Sequence, residues 1–317
     1  MFEWTKKGLV FETARHGVGG WMRHSALTPT PYRIDGDLIR VYAGFRDGDG
    51  VSRIGYVDVR ADDPATVVRV SAEPVLDIGR GGCFDDNGMI LGDVVDAPGG
   101  LHMFYVGFQR VARAKFLAFT GLALSTDGGD HFRRVQETPI LDRAPGRSTI
   151  GAVHSAIHED GRWRLWFAAG DDWEIIDGET FPRYHIRYAE TDDLRAMPRE
   201  DQVCMSPRGS EYRIGRPRIC RFGDGYVMYF TRGNLTGEYF PGVACSDDGM
   251  HWERHDELLG LTLSASGWDS RTICYPALIR QHDKLLMFYN GNDMGVDGFG
   301  LAEASMHHVD GGADDRG

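Results

Sequence analysis

The chain has 317 residues, 42% of them apolar, and a formal net charge of -12 at pH 7. That acidic balance argues against nucleic acid and anionic membrane surfaces as partners, and no apolar run reaches the roughly eighteen residues of a membrane-spanning helix. The opening MFEWTKKGLVFE has no apolar signal region and the five cysteines lack metal-ligand spacing, so reduced thiols in a cytoplasmic protein are expected.

In chain order, the first element is the strand EWTKKGLVF. Five copies of a turn plus an aromatic strand follow, about sixty residues apart: IDGDLIRVYAG, DAPGGLHMFYVG, HEDGRWRLWFAAG, FGDGYVMYFTRG and QHDKLLMFYNG. Eleven residues before the position of Met103 in each copy stands a small, kinked or ring-bearing anchor: Pro29, Gly92, His154, Pro217 and Pro276. A third segment recurs as SRIGYVDV, FTGLALSTDGG, YHIRYAETDD, FPGVACSDDG and GFGLAEAS. A fourth follows in four copies: ATVVRVSAEPVL, HFRRVQETPIL, RAMPREDQVCM and HWERHDELLGL. The fifth copy ends at Ala304 without one, and the N-terminal strand matches the missing piece, Trp4 standing in the place of Trp252 and Phe132.

Such a unit cannot bury its own apolar faces and must stack on its neighbours. The expected fold is all-β: a single five-bladed β-propeller over residues 1–306, its ring closed by the N-terminal strand, with residues 307–317 as a polar tail. The many glycines, 42 in all, suit the turns of some twenty strands. Strand direction puts the bland hairpins IDGD, DAPGG, EDGR, GDG, TDGGD and SDDG on one face. The other receives FRDGDGV, FQRVARAKF, GDDWEIIDGETFP, RGNLTGEYFP and NGNDMGVDG, and loops on a rigid scaffold are where function concentrates.

The repeat resembles the five-bladed carbohydrate-active propellers, glycoside hydrolase families 43, 32 and 68 and the phosphorylase family 130, over essentially the whole chain. RDGDGVSRIGYVDV looks like the phosphorylase family's first-blade segment, and GWDSRTICYPALIRQHDKLLMFYNG like a pattern of family 43-like proteins. SDDGMHWER and STDGGDHF resemble a turn of these propellers that falls on the hairpin face, so Asp248 and Asp127 are expected to form turns. The resemblance implies catalytic carboxylates one or two residues before each anchor. Here those positions hold Thr28, Leu91, Val153, Arg216 and Tyr275, preceded by Leu27, Ile90, Ala152, Gly215 and Cys274, and none is an acid.

Carboxylates recur seven residues before the anchor instead, as Asp85 after Phe84 and Asp269 after Trp268. Both are expected near the channel mouth, where two acids across a pocket serve as general acid and base. The competing structural reading makes each a turn cap, and repetition at equivalent positions favours it. Asp86 is a separate candidate. In EYRIGRPRICR, Arg213, Arg216 and Arg218 crowd a strand expected to line the axis, beside Glu211; Arg271, Arg46 and Arg232 add charge nearby. Buried arginines need partners, either an anionic ligand or salt bridges to Glu211, Asp269 or Asp93. His24 and His154 on axis-lining segments suit proton transfer near neutral pH. Tyr275 suits a hydrogen bond to substrate, and Trp173 on the longest open-face loop suits stacking on a sugar ring.

The expectation is a glycoside hydrolase- or phosphorylase-like enzyme. It acts by acid–base catalysis on a small sugar or anionic sugar derivative in a central pocket. Two alternatives stand beside it: a propeller repurposed as an isomerase, lyase or cyclase in small-molecule biosynthesis, and a non-catalytic sugar-binding propeller. No cofactor is expected, although in the related propellers a channel histidine can sit beside a bound cation such as calcium.

Overall fold

The structure is a computed structural model that describes residues 2–306 except 199, 237 and 238; the tail expected at 307–317 lies outside the described residues. The chain is nearly all β. It begins with β1 (Thr5–Glu12), then β2 (His24–Arg33), β3 (Leu38–Arg46), β4 (Ser52–Arg60) and β5 (Val67–Val70). Next come β6 (Met89–Ala97), β7 (Gly100–Val111), β8 (Ala114–Ser125) and β9 (Arg133–Arg134), followed by β10 (Ile150–Glu159), β11 (Arg162–Ile176), β12 (Glu179–Thr191) and β13 (Gln202–Met205). The last are β14 (Glu211–Phe222), β15 (Gly225–Asn234), β16 (Tyr239–Ser246), β17 (Glu253–Arg254), β18 (Cys274–Gln281), β19 (Lys284–Asn290) and β20 (Gly298–Ser305).

Antiparallel pairing gathers them in fours, here numbered sheets one to five: β2–β5, β6–β9, β10–β13, β14–β17, and β18–β20 with β1. Short parallel bridges join sheets two, three and four into one network. Strand β1 lies against β20, Thr5 opposite Glu303 and Glu12 opposite Gly298, so the N-terminal segment is the outermost strand of the fifth sheet.

The aromatic strands are apolar on both faces because each is sandwiched. Successive side chains of a strand point to opposite faces. On β7, Met103 and Tyr105 therefore pack against Tyr42 and Tyr56 of sheet one, while Phe104 packs against Leu165 and Phe167 of sheet three. Trp166, on the other face of β11, joins Met228 and Phe230 of sheet four, whose Tyr229 faces Met287 and Tyr289 of sheet five. Leu286 and Phe288 of sheet five pack against Val41 and Val57 of sheet one. The first strands also touch in sequence, β2 with β6, β6 with β10, β10 with β14, β14 with β18, and β18 with β2.

Asp127 and Asp248 form turns, as expected. The Asp248 carboxylate accepts the Met250 and His251 N–H groups, each at 2.8 Å. The segment GDDWEIIDGETFP is not a loop, because β11 and β12 pair through it as a long hairpin. All five cysteines are free thiols, and no helix among the described residues is long and apolar enough to cross a membrane.

Candidate functional site

Every first strand breaks its register at the anchor: between Leu27 and Thr30, Leu91 and Asp93, Val153 and Ser155, Gly215 and Arg218, and Cys274 and Ala277. Proline suits a bulge because the unpaired residue has no ladder bond to lose. At Gly92 the reason is contact, since a Cβ there would lie 2.3 Å from the Val153 carbonyl oxygen. Thr28, Arg216 and Tyr275, each directly before an anchor proline, take φ of 55°, 56° and 56°. Such left-handed backbone costs about 1–3 kcal/mol per residue and persists only where its surroundings enforce it. Part of that enforcement is visible. The Thr28 N–H donates to Asn290 Oδ1 at 2.9 Å, and the Tyr275 N–H to Thr231 Oγ1 at 2.8 Å. Each acceptor belongs to a neighbouring sheet.

Arg216 reaches across the centre. Its Nη1 donates to the Leu91 carbonyl, to the Gly92 carbonyl at 3.3 Å and to His154 Nδ1 at 3.1 Å; its Nη2 donates to the Thr28 carbonyl at 3.0 Å and Thr30 Oγ1 at 2.9 Å. One guanidinium of sheet four thereby ties down the first strands of sheets one, two and three. Burial, then Arg218, lowers its pKa to about 9. His154 is also buried, and burial with the two cationic neighbours Arg216 and Arg218 holds its pKa well below the ordinary value. It is a neutral acceptor at physiological pH, which corrects the expectation of proton transfer there. Arg218 follows the salt-bridge reading, its Nη1 lying 2.6 Å from Asp93 Oδ1. A guanidinium in this position does not fit a channel cation. Among the described residues no three His, Cys, Asp or Glu side chains are gathered to hold a metal.

The mouth of the channel is richer. The Tyr275 ring lies 6.0 Å from that of Tyr239. Its phenol interacts electrostatically with Tyr184 of sheet three, with Arg213 and Arg216 of sheet four, and with Arg46 of sheet one. Tyr275 of sheet five thus lies within electrostatic reach of sheets one, three and four. Burial raises the phenol's pKa far above its ordinary value, so it stays protonated. Arg213 is buried in a cage of rings, its guanidinium carbon 4.7 Å from the centres of both Tyr212 and Tyr239, 5.7 Å from Phe181 and 5.8 Å from Tyr184. Its Nη2 donates to the Tyr239 hydroxyl and its Nε has no partner. Arg46 sits opposite His24 at the open end of the β2–β3 pair. It is half-buried, and burial lowers its pKa. Among the described residues its guanidinium makes no hydrogen bond or ion pair. His24 is half-buried, with Nδ1 3.1 Å from Ser25 Oγ.

The expected acids are elsewhere. Asp85 is buried against Arg134 of β9, the outermost strand of its own sheet, at 2.7 Å. Asp269 meets Lys6 of β1, again outermost, at 2.6 Å, and accepts the Tyr289 hydroxyl at 3.0 Å. The preceding aromatics explain the placement, Phe84 lying 5.8 Å from Tyr105 and Trp268 5.0 Å from Tyr289 on those same sheets. Glu211 likewise joins Arg254 of β17 at 2.5 Å. In sheet three the polarity is reversed, with Arg147 bonded to Asp201 next to β13. These pairs are clasps between the start and the outer edge of four of the five sheets, and they tie Asp85 and Asp269 within their own sheets. Asp86 accepts the Gly82 N–H at 2.7 Å and shapes that turn.

Arg271 is spent on an exposed ion pair with Asp293 at 2.6 Å. Arg232 lies 3.3 Å from Glu211, and both line a groove of about 500 Å³ with Arg208, Phe240 and Arg254. Trp173 pairs with Pro182 and packs against the core of sheets one and two, which removes it as a free stacking platform. Sequence reasoning singled out Arg46 and Tyr275 and placed Arg213 on the axis-lining strand without setting it apart from Arg216 and Arg218, and it missed Tyr239. The signal for Arg213 was its spacing, an odd number of residues from Arg216 and across a bulge.

No protein-family model matches the chain. Over 304 residues it is 31% identical to the uncharacterized protein Rv1502 of Mycobacterium tuberculosis (strain ATCC 25618 / H37Rv), covering 94% of this chain and 98% of that protein. The uncharacterized protein MT1551 of strain CDC 1551 / Oshkosh matches to the same extent. Among solved structures, a glycosyl hydrolase from Bacteroides ovatus superposes with a TM-score of 0.68 at 16% identity, over 96% of this chain and 93% of that one. A thermostable family-43 glycoside hydrolase gives 0.67 at 13%, over 92% and 91%. A structure from the family-130 mannoside phosphorylases and hydrolases gives 0.65 at 17%, over 96% and 93%. The chain shares the propeller-like fold of these solved structures. Identities this low speak to fold alone.

Proposed function

This chain belongs to the family of the mycobacterial protein Rv1502, and we propose that it is a carbohydrate-active enzyme in which a phenol and an imidazole, not a carboxylate pair, move the proton. We read the five sheets as five blades of a closed ring forming one domain, with β1 completing the last blade. The five inter-sheet cores and the contact of β18 with β2 support that reading. We place its pocket beside Arg46 and Tyr275, above the Arg216 guanidinium that ties the first strands together, which suits a small sugar derivative.

Tyr275, protonated and held in the slot before its anchor, donates to the departing or rearranging oxygen of the sugar. His24, beside Arg46 at the rim, takes up the proton released when a C–H bond of the sugar breaks, and that proton later restores the Tyr275 phenol. Without a free carboxylate dyad the chemistry is an isomerisation, elimination or cyclisation that consumes neither water nor phosphate. The free thiols suit a cytoplasmic biosynthetic setting.

The observation that carries this reading is the convergence of sheets one, three, four and five on Tyr275, while Asp85, Asp269 and Glu211 are tied within their own sheets. The test is to incubate the protein with a panel of sugar acids, sugar phosphates and nucleotide sugars in deuterated water and follow C–H exchange and product formation by NMR. Turnover of one class is expected, with Tyr275→Phe lowering it about 100-fold or more. Release of aryl alcohol from aryl glycosides, unaffected by Tyr275→Phe and abolished by Asp85→Asn, would contradict it.

A further inference from the structure

The surroundings of Tyr275 gather positive charge that no carboxylate among the described residues neutralises. Arg213 is buried, with no carboxylate in ion-pair contact among the described residues and an Nε without a partner. Arg46 is half-buried and equally unpaired. Most of the other buried or half-buried arginines are answered: Arg40 by Asp58, Arg147 by Asp201, Arg218 by Asp93 and Arg254 by Glu211. Taking a guanidinium out of water costs several kcal/mol, and ring contacts return about 0.5–2 kcal/mol. The fold also reserves room for the Arg213 side chain, since a Cβ at Gly233 would lie 3.0 Å from its Nε. A protein of net charge -12 that keeps two unanswered arginines within electrostatic reach of one phenol, Tyr275, has an attractive field for an anion there.

We infer that the ligand is a sugar carrying its own oxyanion, a carboxylate or a phosphate, seated between Arg46 and Arg213 with the Tyr275 hydroxyl at its side. The forked N–H groups of a guanidinium match both oxyanions, whereas a neutral sugar offers only hydroxyls. Arg216 and Arg271, two others of the arginines the sequence offers for this role, are taken up by backbone carbonyls and by Asp293 respectively. The inference rests on the axial mouth being where the sugar binds and is independent of the proton-transfer chemistry.

Isothermal titration of the full chain with glucuronate, glucose 6-phosphate, glucose and inorganic phosphate tests it. At least one anionic sugar is expected to bind about tenfold or more tighter than glucose and than inorganic phosphate, and which one does so identifies the oxyanion. Arg46→Gln, at a half-buried and unpaired position, erases that gain. Arg213→Lys, which keeps the charge in case the buried site resists neutralisation, weakens it. Arg271→Gln leaves it unchanged. The titration reads binding without turnover, so a failure of the turnover experiment leaves this one readable. Equal binding of glucose, inorganic phosphate binding as tightly as glucose 6-phosphate, a gain that survives both arginine variants, or no binding by any probe overturns the inference.

Discussion

His154 takes the anchor position that proline or glycine holds in the other four sheets, and its contacts say why. The bulge of sheet three must offer Arg216 a neutral acceptor, and a buried imidazole 3.1 Å away does so. The unfolded chain's histidine titrates near 6.5, whereas the folded one is held well below that. As pH falls the unfolded state therefore binds the extra proton. Stability is full above about pH 6.5 and declines as pH drops through the window beneath it. His185, lowered by burial and Arg187, contributes with the same sign. His154→Gln should thus flatten, without abolishing, the fall in denaturant midpoint between about pH 7 and about pH 5; parallel slopes for the two proteins would count against the assignment. The anchors themselves were legible as a pattern. Their bulged geometry was not, because a proline, a glycine and a histidine break the register at equivalent positions for three different reasons.

At the scale of the element, the recurring device is the clasp between the segment entering a sheet and the sheet's outer edge. Asp85–Arg134, Asp269–Lys6, Glu211–Arg254 and Arg147–Asp201 repeat it with two polarities. Repetition at equivalent positions already favoured a structural role for the two aspartates. What the sequence hid was direction, because the stacking of Phe84 on Tyr105 and of Trp268 on Tyr289 turns both carboxylates away from the axis. Asp269→Asn loses the Lys6 pair and should cost about 1–3 kcal/mol in chemical denaturation, with Asp85→Asn similar. Neither should weaken sugar binding. Unchanged stability with lost turnover in either variant would restore the acid to the chemistry. Depressed pKa values at Asp269 and Glu211 carry the same message: the stability they add is present above roughly pH 4 and is lost as pH falls through their folded values.

Across the whole molecule, the period of the sequence was enough to reveal the stacked sheets and the place of β1, because each strand is sandwiched between two others and must be apolar on both faces. The site is different in kind. Arg46, Arg213, Tyr239 and Tyr275 come from three sheets and acquire a shared environment only when first strands remote in the chain meet. No local pattern announces such a meeting. A crystal structure of the protein with whichever of glucuronate or glucose 6-phosphate binds tests the central claim most directly. We expect its oxyanion within hydrogen-bond distance of Arg46 and Arg213, with the sugar against Tyr275. A ligand seated in the groove lined by Arg208, Glu211 and Phe240, or beside the Asp85 or Asp269 clasp, would contradict it.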